Sequence, residues 1–150
     1  MAIPGWNVRQ TAPYGLLILR LVLGIAFVVH GWSKLTGGPG NMVGFFGGAG
    51  IPIPALMVWI VTIVELVGGI LLIVGFLTQI AGVLLTIDML AAILFVAGRG
   101  ALIENGGISW EKEAVFAAAA LCLALAGPGL FAVDAMVGES RSGDARARAA

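Results

Sequence analysis

The sequence has few charged residues, one cysteine and one histidine. Of its 150 residues, 8 are Lys or Arg and 8 are Asp or Glu, so that only 11% are charged and the net charge is zero. Soluble domains average about 25% charged residues, and a nucleic-acid-binding surface needs an excess of cations that this chain does not have. One cysteine excludes a disulfide framework, and one histidine excludes bis-histidine haem ligation within the chain. Zinc has too few ligands, so no metal site is expected.

Apolar residues fill the space that charge leaves. They make up 60% of the chain, and the mean hydropathy is +1.07. They form four runs at about 15–35, 54–76, 80–98 and 113–133. Each run is close to the ~20 residues that a helix needs to cross the bilayer core. The sequence therefore predicts an all-α integral membrane protein, a four-helix bundle that runs up-down-up-down over 1–137, with a disordered polar tail at 138–150.

The second apolar run needs a check because it contains Glu65. A carboxylate at the centre of a span costs about 2.5–3.5 kcal/mol, whereas each Leu, Ile, Val or Phe contributes about 0.3–0.6 kcal/mol in favour of insertion. Fourteen such apolar residues lie between Leu56 and Phe76. Together they contribute roughly 6 kcal/mol, so insertion is still favoured.

Charges in the connections favour one orientation. The first run is too long for a signal-peptide core and has no cleavage site at its end, which indicates a retained first helix. Four spans put both termini on the same side of the membrane. That side holds four arginines in the N-terminal segment and the tail, against Lys34, Arg99 and Lys112 opposite. The positive-inside rule therefore favours cytoplasmic termini.

An ionisable side chain inside a membrane span costs free energy, so each one is a candidate functional residue. Six such residues form the candidate intramembrane polar site: Arg20, His30, Lys34, Glu65, Asp88 and Glu113. One interpretation is structural, with Arg20 paired to Asp88 or Glu65 and Lys34 paired to Glu113, so that the pairs fix helix packing. The other is a polar pocket between helices that binds a small molecule or relays protons. Both stay open, as does the choice between a hydrogen-bonded and a ligand-binding His30.

Two features of the fourth run complete the pattern. Gly127, Pro128 and Gly129 are expected to end or break that helix, and Asp134 is expected to cap a short segment beyond them. Cys122 lies in an alanine- and leucine-rich part of the run and has no second cysteine to pair with, so inert packing is expected.

The chain resembles the DoxX family of small bacterial and archaeal membrane proteins over about residues 15–135. The resemblance rests on Arg20 followed by HGWSKL at 30–35, GIPIP at 50–54, ELVGGILL at 65–72 continuing to GFLT at 75–78, and Glu113 followed by GPG at 127–129 and Asp134. One departure is the stretch 130–133, where the family often has a serine beside the aspartate. The resemblance implies a prokaryotic plasma-membrane protein.

The resemblance also implies an association with redox chemistry. Founding members of the family are small subunits associated with thiosulfate:quinone oxidoreductase, and some relatives are tied to membrane-associated oxidative-stress complexes. This implies a subunit of a quinone- or thiol-linked redox system, at most an oxidoreductase subunit. Its ligand, a quinone or a small thiol compound, is expected between the helices around Glu65. The expected partners are the lipid bilayer, oxidoreductase subunits and further copies of the chain.

Two alternatives remain. The chain could be a non-catalytic scaffold whose 99–112 loop or tail recruits a soluble oxidoreductase, or a small-molecule transporter that uses Glu65 and Asp88. The sequence contains no flavin fold, nucleotide-binding loop or catalytic Ser-His-Asp set, which makes catalysis by this chain alone doubtful.

Overall fold

The computed structural model describes residues 7–97, 103–104 and 107–136 of the chain, and it is helical except for one small hairpin. The elements in chain order are α1 (Val8–Gly37), a 3₁₀ turn (Pro39–Met42), α2 (Val43–Gly48), α3 (Pro54–Val74), α4 (Thr78–Phe95), β1 (Ile103–Glu104), β2 (Gly107–Ile108) and α5 (Glu111–Ala126). The two strands pair antiparallel.

Three of the helices are long and apolar enough to cross a membrane. They are α1, α3 and α4, with 30, 21 and 18 residues. At 1.5 Å per residue, even the shortest of them is about 27 Å long, close to the thickness of the hydrocarbon core. The outward face of α1 carries Ile18, Val22, Ile25 and Val29, each more than half exposed. Such a stripe would be unfavourable in water but suits a surface that contacts lipid.

Glycines bring α1 and α3 into backbone contact. A methyl group built on Gly24 would lie 2.8 Å from the Gly69 carbonyl oxygen, and one built on Gly31 would lie 2.5 Å from the Leu66 nitrogen. Helices in lipid gain little from the hydrophobic effect between them, so close packing at small residues takes its place. This contact fixes the position of Glu65, the neighbour of Leu66, relative to α1.

The second tight contact joins α4 and α5. A methyl group on Gly82 would meet the Ala120 carbonyl oxygen at 2.8 Å. The buried core between the helices is formed by larger side chains, among them Phe27, Leu72, Leu85 and Leu123, which are fully enclosed. The four long helices therefore share one continuous interior.

Some helix ends differ from the ends of the apolar runs. The fourth predicted span reaches 133, but α5 ends at Ala126, before Gly127 with its φ of 88°, so the expectation that Gly127, Pro128 and Gly129 end this helix is confirmed. The glycine- and proline-rich connection between α1 and α3 contains the 3₁₀ turn and α2. The predicted tail at 138–150 and Arg99 lie outside the described residues.

Candidate functional site

The centre of the candidate site is an ion pair between two helices. Lys34 on α1 donates a short hydrogen bond to the Glu65 Oε2 atom on α3. The Glu65 side chain is 3% exposed and that of Lys34 19% exposed, so the carboxylate is enclosed and the ammonium lies at the edge. An enclosed carboxylate needs such a partner, because removing one member of a buried pair leaves an uncompensated charge.

Asp88 of α4 lies in the same cluster. Its side chain is buried, with 9% exposure. Among the described residues, its Oδ2 atom has no hydrogen-bond partner. The three residues Lys34, Glu65 and Asp88 come from three different helices, and together they form the polar end of a cavity.

The cavity has a volume of about 300 Å³. Apart from its charged residues, it is lined mainly by apolar side chains of α3, α4 and the connection between α1 and α3. The connection supplies Met42, Phe45, Phe46, Ile51 and Pro52. Ligand sites commonly have this form, in which apolar walls enclose a few convergent polar groups, and this volume is at the lower end of their usual range.

A smaller cavity of about 100 Å³ adjoins the first and shares Lys34, Glu65 and Glu113 with it. His30 lines this cavity, and its Nδ1 atom lies 2.7 Å from the Ala26 carbonyl oxygen. Because a carbonyl oxygen can only accept, Nδ1 is the donor in this contact. The ring also packs edge-on against Phe116, with centroids 5.9 Å apart.

Glu113 lies at the start of α5, within reach of both cavities. Its Oε1 atom is 3.2 Å from the Lys112 Nζ atom, and the Lys112 side chain is 59% exposed. The expected pairing of Lys34 with Glu113 is therefore wrong, since Lys34 pairs with Glu65 and Glu113 has the neighbouring lysine.

Arg20 is not part of this cluster. Its Nη1 atom donates to the Pro128 carbonyl and its Nη2 atom to the Phe131 carbonyl, each at 3.0 Å, and the residue is 1% exposed. The expected pairing of Arg20 with Asp88 or Glu65 is wrong. Arg20 instead holds the segment after α5 against α1.

Asp134 completes that second cluster. Its two carboxylate oxygens accept hydrogen bonds from the backbone N–H groups of Leu77 and Thr78, each at 2.9 Å. Its own N–H donates to the Gly75 carbonyl at 3.0 Å. A carboxylate at this place satisfies N–H groups that have no partner within the helix and complements the helix dipole. Asp134 thus caps α4, not the segment beyond α5 as expected from the sequence.

The apolar wall of the larger cavity was not predicted from the sequence. Phe45 and Phe46 have ring centroids 6.1 Å apart, and both line the cavity. The available signal was two adjacent phenylalanines in an otherwise glycine- and proline-rich connection. In the described part of the chain, no group of three or more His, Cys, Asp or Glu residues is placed to hold a metal ion.

These features define a helical integral membrane protein with a buried ion pair beside an apolar cavity. The DoxX family model matches residues 15–98, which include α2 to α4, all of α1 after Tyr14, and the residues Lys34, Glu65 and Asp88. The match spans more than half of the chain, and the chain belongs to the DoxX family.

Relatives from bacteria agree with this assignment. The chain is 35% identical over 123 residues to "Putative oxidoreductase CatD" of Bacillus subtilis, an alignment that covers 82% of this chain and 87% of the relative. It is 27% identical over 130 residues to "Inner membrane protein YqjF" of Escherichia coli, covering 86% of this chain and 96% of the relative. No solved structure matches the chain.

Proposed function

We propose that the chain is a membrane subunit of a quinone-linked redox system and binds a quinone-type ring in the larger cavity. The observation that carries this proposal is the 300 Å³ cavity itself, which has aromatic walls and the Lys34–Glu65 pair at its polar end. Phenylalanine faces suit a flat ring better than a small thiol. The name of the Bacillus subtilis relative supports a redox role.

The proposal assigns separate tasks to the polar side chains. A lysine ammonium has three N–H donors, and Lys34 gives one of them to Glu65. The other two are available to a ring oxygen, and Glu65 keeps the ammonium at the cavity. A bound ring would exchange two electrons and two protons as it passes between its quinone and hydroquinone forms. A partner oxidoreductase subunit would exchange the electrons.

The smaller cavity is proposed as the path for protons between the protein surface and the larger cavity. It extends from Lys34 and Glu65 to His30 and the Lys112–Glu113 pair. Lys112 is exposed, so this side of the cavity lies close to the surface of the protein. His30 lines this cavity, and its ring, held by the Nδ1 hydrogen bond to Ala26, is the proposed relay group on this path.

The membrane topology is part of the same proposal. We place α5 as a fourth span in an up-down-up-down bundle, with both termini in the cytoplasm of a prokaryotic cell. The close contact of Gly82 with Ala120 and Ala124 supports this placement, because it joins the start of α4 to the end of α5. The 16 residues of α5 are about 24 Å long, which is short for a span. The segment after Ala126 would then extend the bundle towards the cytoplasm.

Ligand binding tests the proposal directly. The purified protein in lipid nanodiscs is titrated with decylubiquinone, decylubiquinol and menadione, and binding is followed by calorimetry. We expect Glu65→Gln to weaken binding by about tenfold or more, since the charge-assisted contact that holds Lys34 is lost. Glu111→Gln is the matched control, because Glu111 is exposed and lies outside both cavities.

A second variant separates the two cavities. His30→Ala should leave ring binding within about threefold of wild type, since His30 lines the smaller cavity and not the larger one. If the wild-type protein binds none of the three compounds, the proposal is wrong and the scaffold alternative takes its place. That alternative predicts a stable soluble oxidoreductase partner, and its loss when the 99–112 loop is replaced.

A further inference from the structure

The carboxylate of Asp88 has a free acceptor position at the cavity. Its Oδ2 atom is buried and has no hydrogen-bond partner in the described part of the chain, and the residue is 9% exposed. An acceptor buried without a donor costs free energy comparable to a lost hydrogen bond. The residue lines the 300 Å³ cavity, so a ligand in that cavity can supply the missing donor.

The charges around the cavity lead to the same requirement. Four ionisable residues line it, namely Lys34, Glu65, Asp88 and Glu113. Lys34 is bonded to Glu65, and Glu113 pairs with Lys112. Within the described residues, Asp88 is therefore the lining carboxylate that has no cation of its own.

We propose that the cavity selects the hydroxyl-bearing, reduced form of its ring ligand, a hydroquinone, over the oxidised quinone, and that Asp88 determines this preference. The inference rests on the proposed function. The hydroquinone O–H donates to the Asp88 Oδ2 atom, and an oxygen of the same ring accepts from the Lys34 ammonium.

The two forms of the ring differ in whether they can donate a hydrogen bond to Asp88. Both oxygens of a quinone only accept, so the quinone would set one acceptor against another and leave the Asp88 oxygen unsatisfied. A hydroquinone has a donor on each oxygen. Sites built to hydrogen-bond a hydroxyl discriminate strongly against an analogue that lacks it, because their own polar group is left without a partner.

The experiment compares one ring in two redox forms. Decylubiquinol and decylubiquinone are titrated separately under anaerobic conditions into the wild-type protein in nanodiscs. We expect the dissociation constant of the quinol to be at least about tenfold lower than that of the quinone. One hydrogen bond to a charged group makes a difference of this size. The cation tetraphenylphosphonium, which has no donor, is a third ligand, and it should bind more weakly than the quinol.

Two variants assign the preference to Asp88. Asp88→Asn keeps the shape and one acceptor but adds an N–H donor, so it should bind both ring forms with affinities within about threefold. Asp88→Leu should bind the quinol no better than the quinone. Thr86→Val is the matched control, because Thr86 is a buried polar residue of the same helix that does not line the cavity, and it should keep the wild-type preference.

The outcomes separate this inference from the function on which it rests. Equal binding of the two forms by the wild type, or tighter binding of the quinone, overturns the inference and leaves the quinone-type site intact. A preference that survives in Asp88→Asn overturns the role of Asp88. Tighter binding of tetraphenylphosphonium than of the quinol shows that the site reads charge, which also overturns the inference. Binding of no ring form contradicts the proposed function itself.

Discussion

Arg20 and Lys34 both lie on α1, and both cations are largely enclosed by protein, yet they have different kinds of partner. Arg20 donates to the carbonyl oxygens of Pro128 and Phe131. Lys34 donates to the side chain of Glu65 at the edge of a cavity. Backbone partners are fixed by the path of the chain, whereas a side-chain pair with spare donors and acceptors can take up a further molecule.

The difference assigns each cluster a task. The Arg20–Asp134 cluster ties α1, the turn before α4 and the segment after α5 together through hydrogen bonds to backbone groups. The Lys34–Glu65–Asp88 cluster leaves one acceptor without a partner among the described residues. Polar residues within a membrane protein thus divide into those that fix packing and those that are available to a ligand.

The largest effect is expected where the structural cluster is broken. Arg20→Met leaves two carbonyl oxygens without their donors, and a buried unsatisfied group costs about 1–3 kcal/mol, so the free energy of unfolding should fall by about 2–6 kcal/mol. Steric trapping in bicelles measures this change. The control is Arg9→Met, which removes an exposed arginine from the same helix. Equal effects of the two variants would contradict the structural role.

A smaller effect is expected at the contact between α1 and α3. A methyl group on Gly31 would lie 2.5 Å from the Leu66 nitrogen, so Gly31→Ala should destabilise the protein by about 1–3 kcal/mol. Because Leu66 follows Glu65, the same variant should also weaken ring binding. Gly15→Ala is the matched control, since nothing lies within 4 Å of its added methyl group. That control should be neutral or stabilising by up to about 1 kcal/mol, and destabilisation by both variants would count against the contact.

The hydrophobic pattern predicted much of the fold. Runs of about twenty apolar residues identify α1, α3 and α4 because the bilayer thickness sets helix length. The helical repeat of about 100° per residue also puts positions 20 and 34 on one face of a helix. Sharing a face does not mean sharing a position along the helix, however. At 1.5 Å per residue, the cations Arg20 and Lys34 are about 21 Å apart along the axis of α1. One face of a helix therefore contributes to two separate clusters.

The cavity and the Asp134 cap could not be predicted in the same way. The α2 helix has six residues, too few for a periodic pattern to identify it, and it forms part of the cavity wall. The cap depends on the turn before α4, where Gly75 and Leu77 both have positive φ angles of 73° and 50°. Asp134 is 56 and 57 residues away in sequence from the two N–H groups of that turn, so no local spacing indicates the contact.

The smallest effect is expected when an aspartate of each cluster is replaced by asparagine. Asp134→Asn keeps one oxygen acceptor but loses the second and the negative charge, and loss of a helix cap costs about 1 kcal/mol. The free energy of unfolding should therefore fall by about that amount, while the preference for quinol over quinone stays unchanged. Asp88→Asn should do the reverse, because the Oδ2 atom of Asp88 has no partner to lose among the described residues. Unfolding and ligand preference are measured on both variants. Because each variant replaces one carboxylate by its amide, any difference between them comes from the cluster and not from the type of substitution. If Asp134→Asn altered the ligand preference as much as Asp88→Asn, the two clusters would be energetically coupled and their division into packing and binding would be wrong.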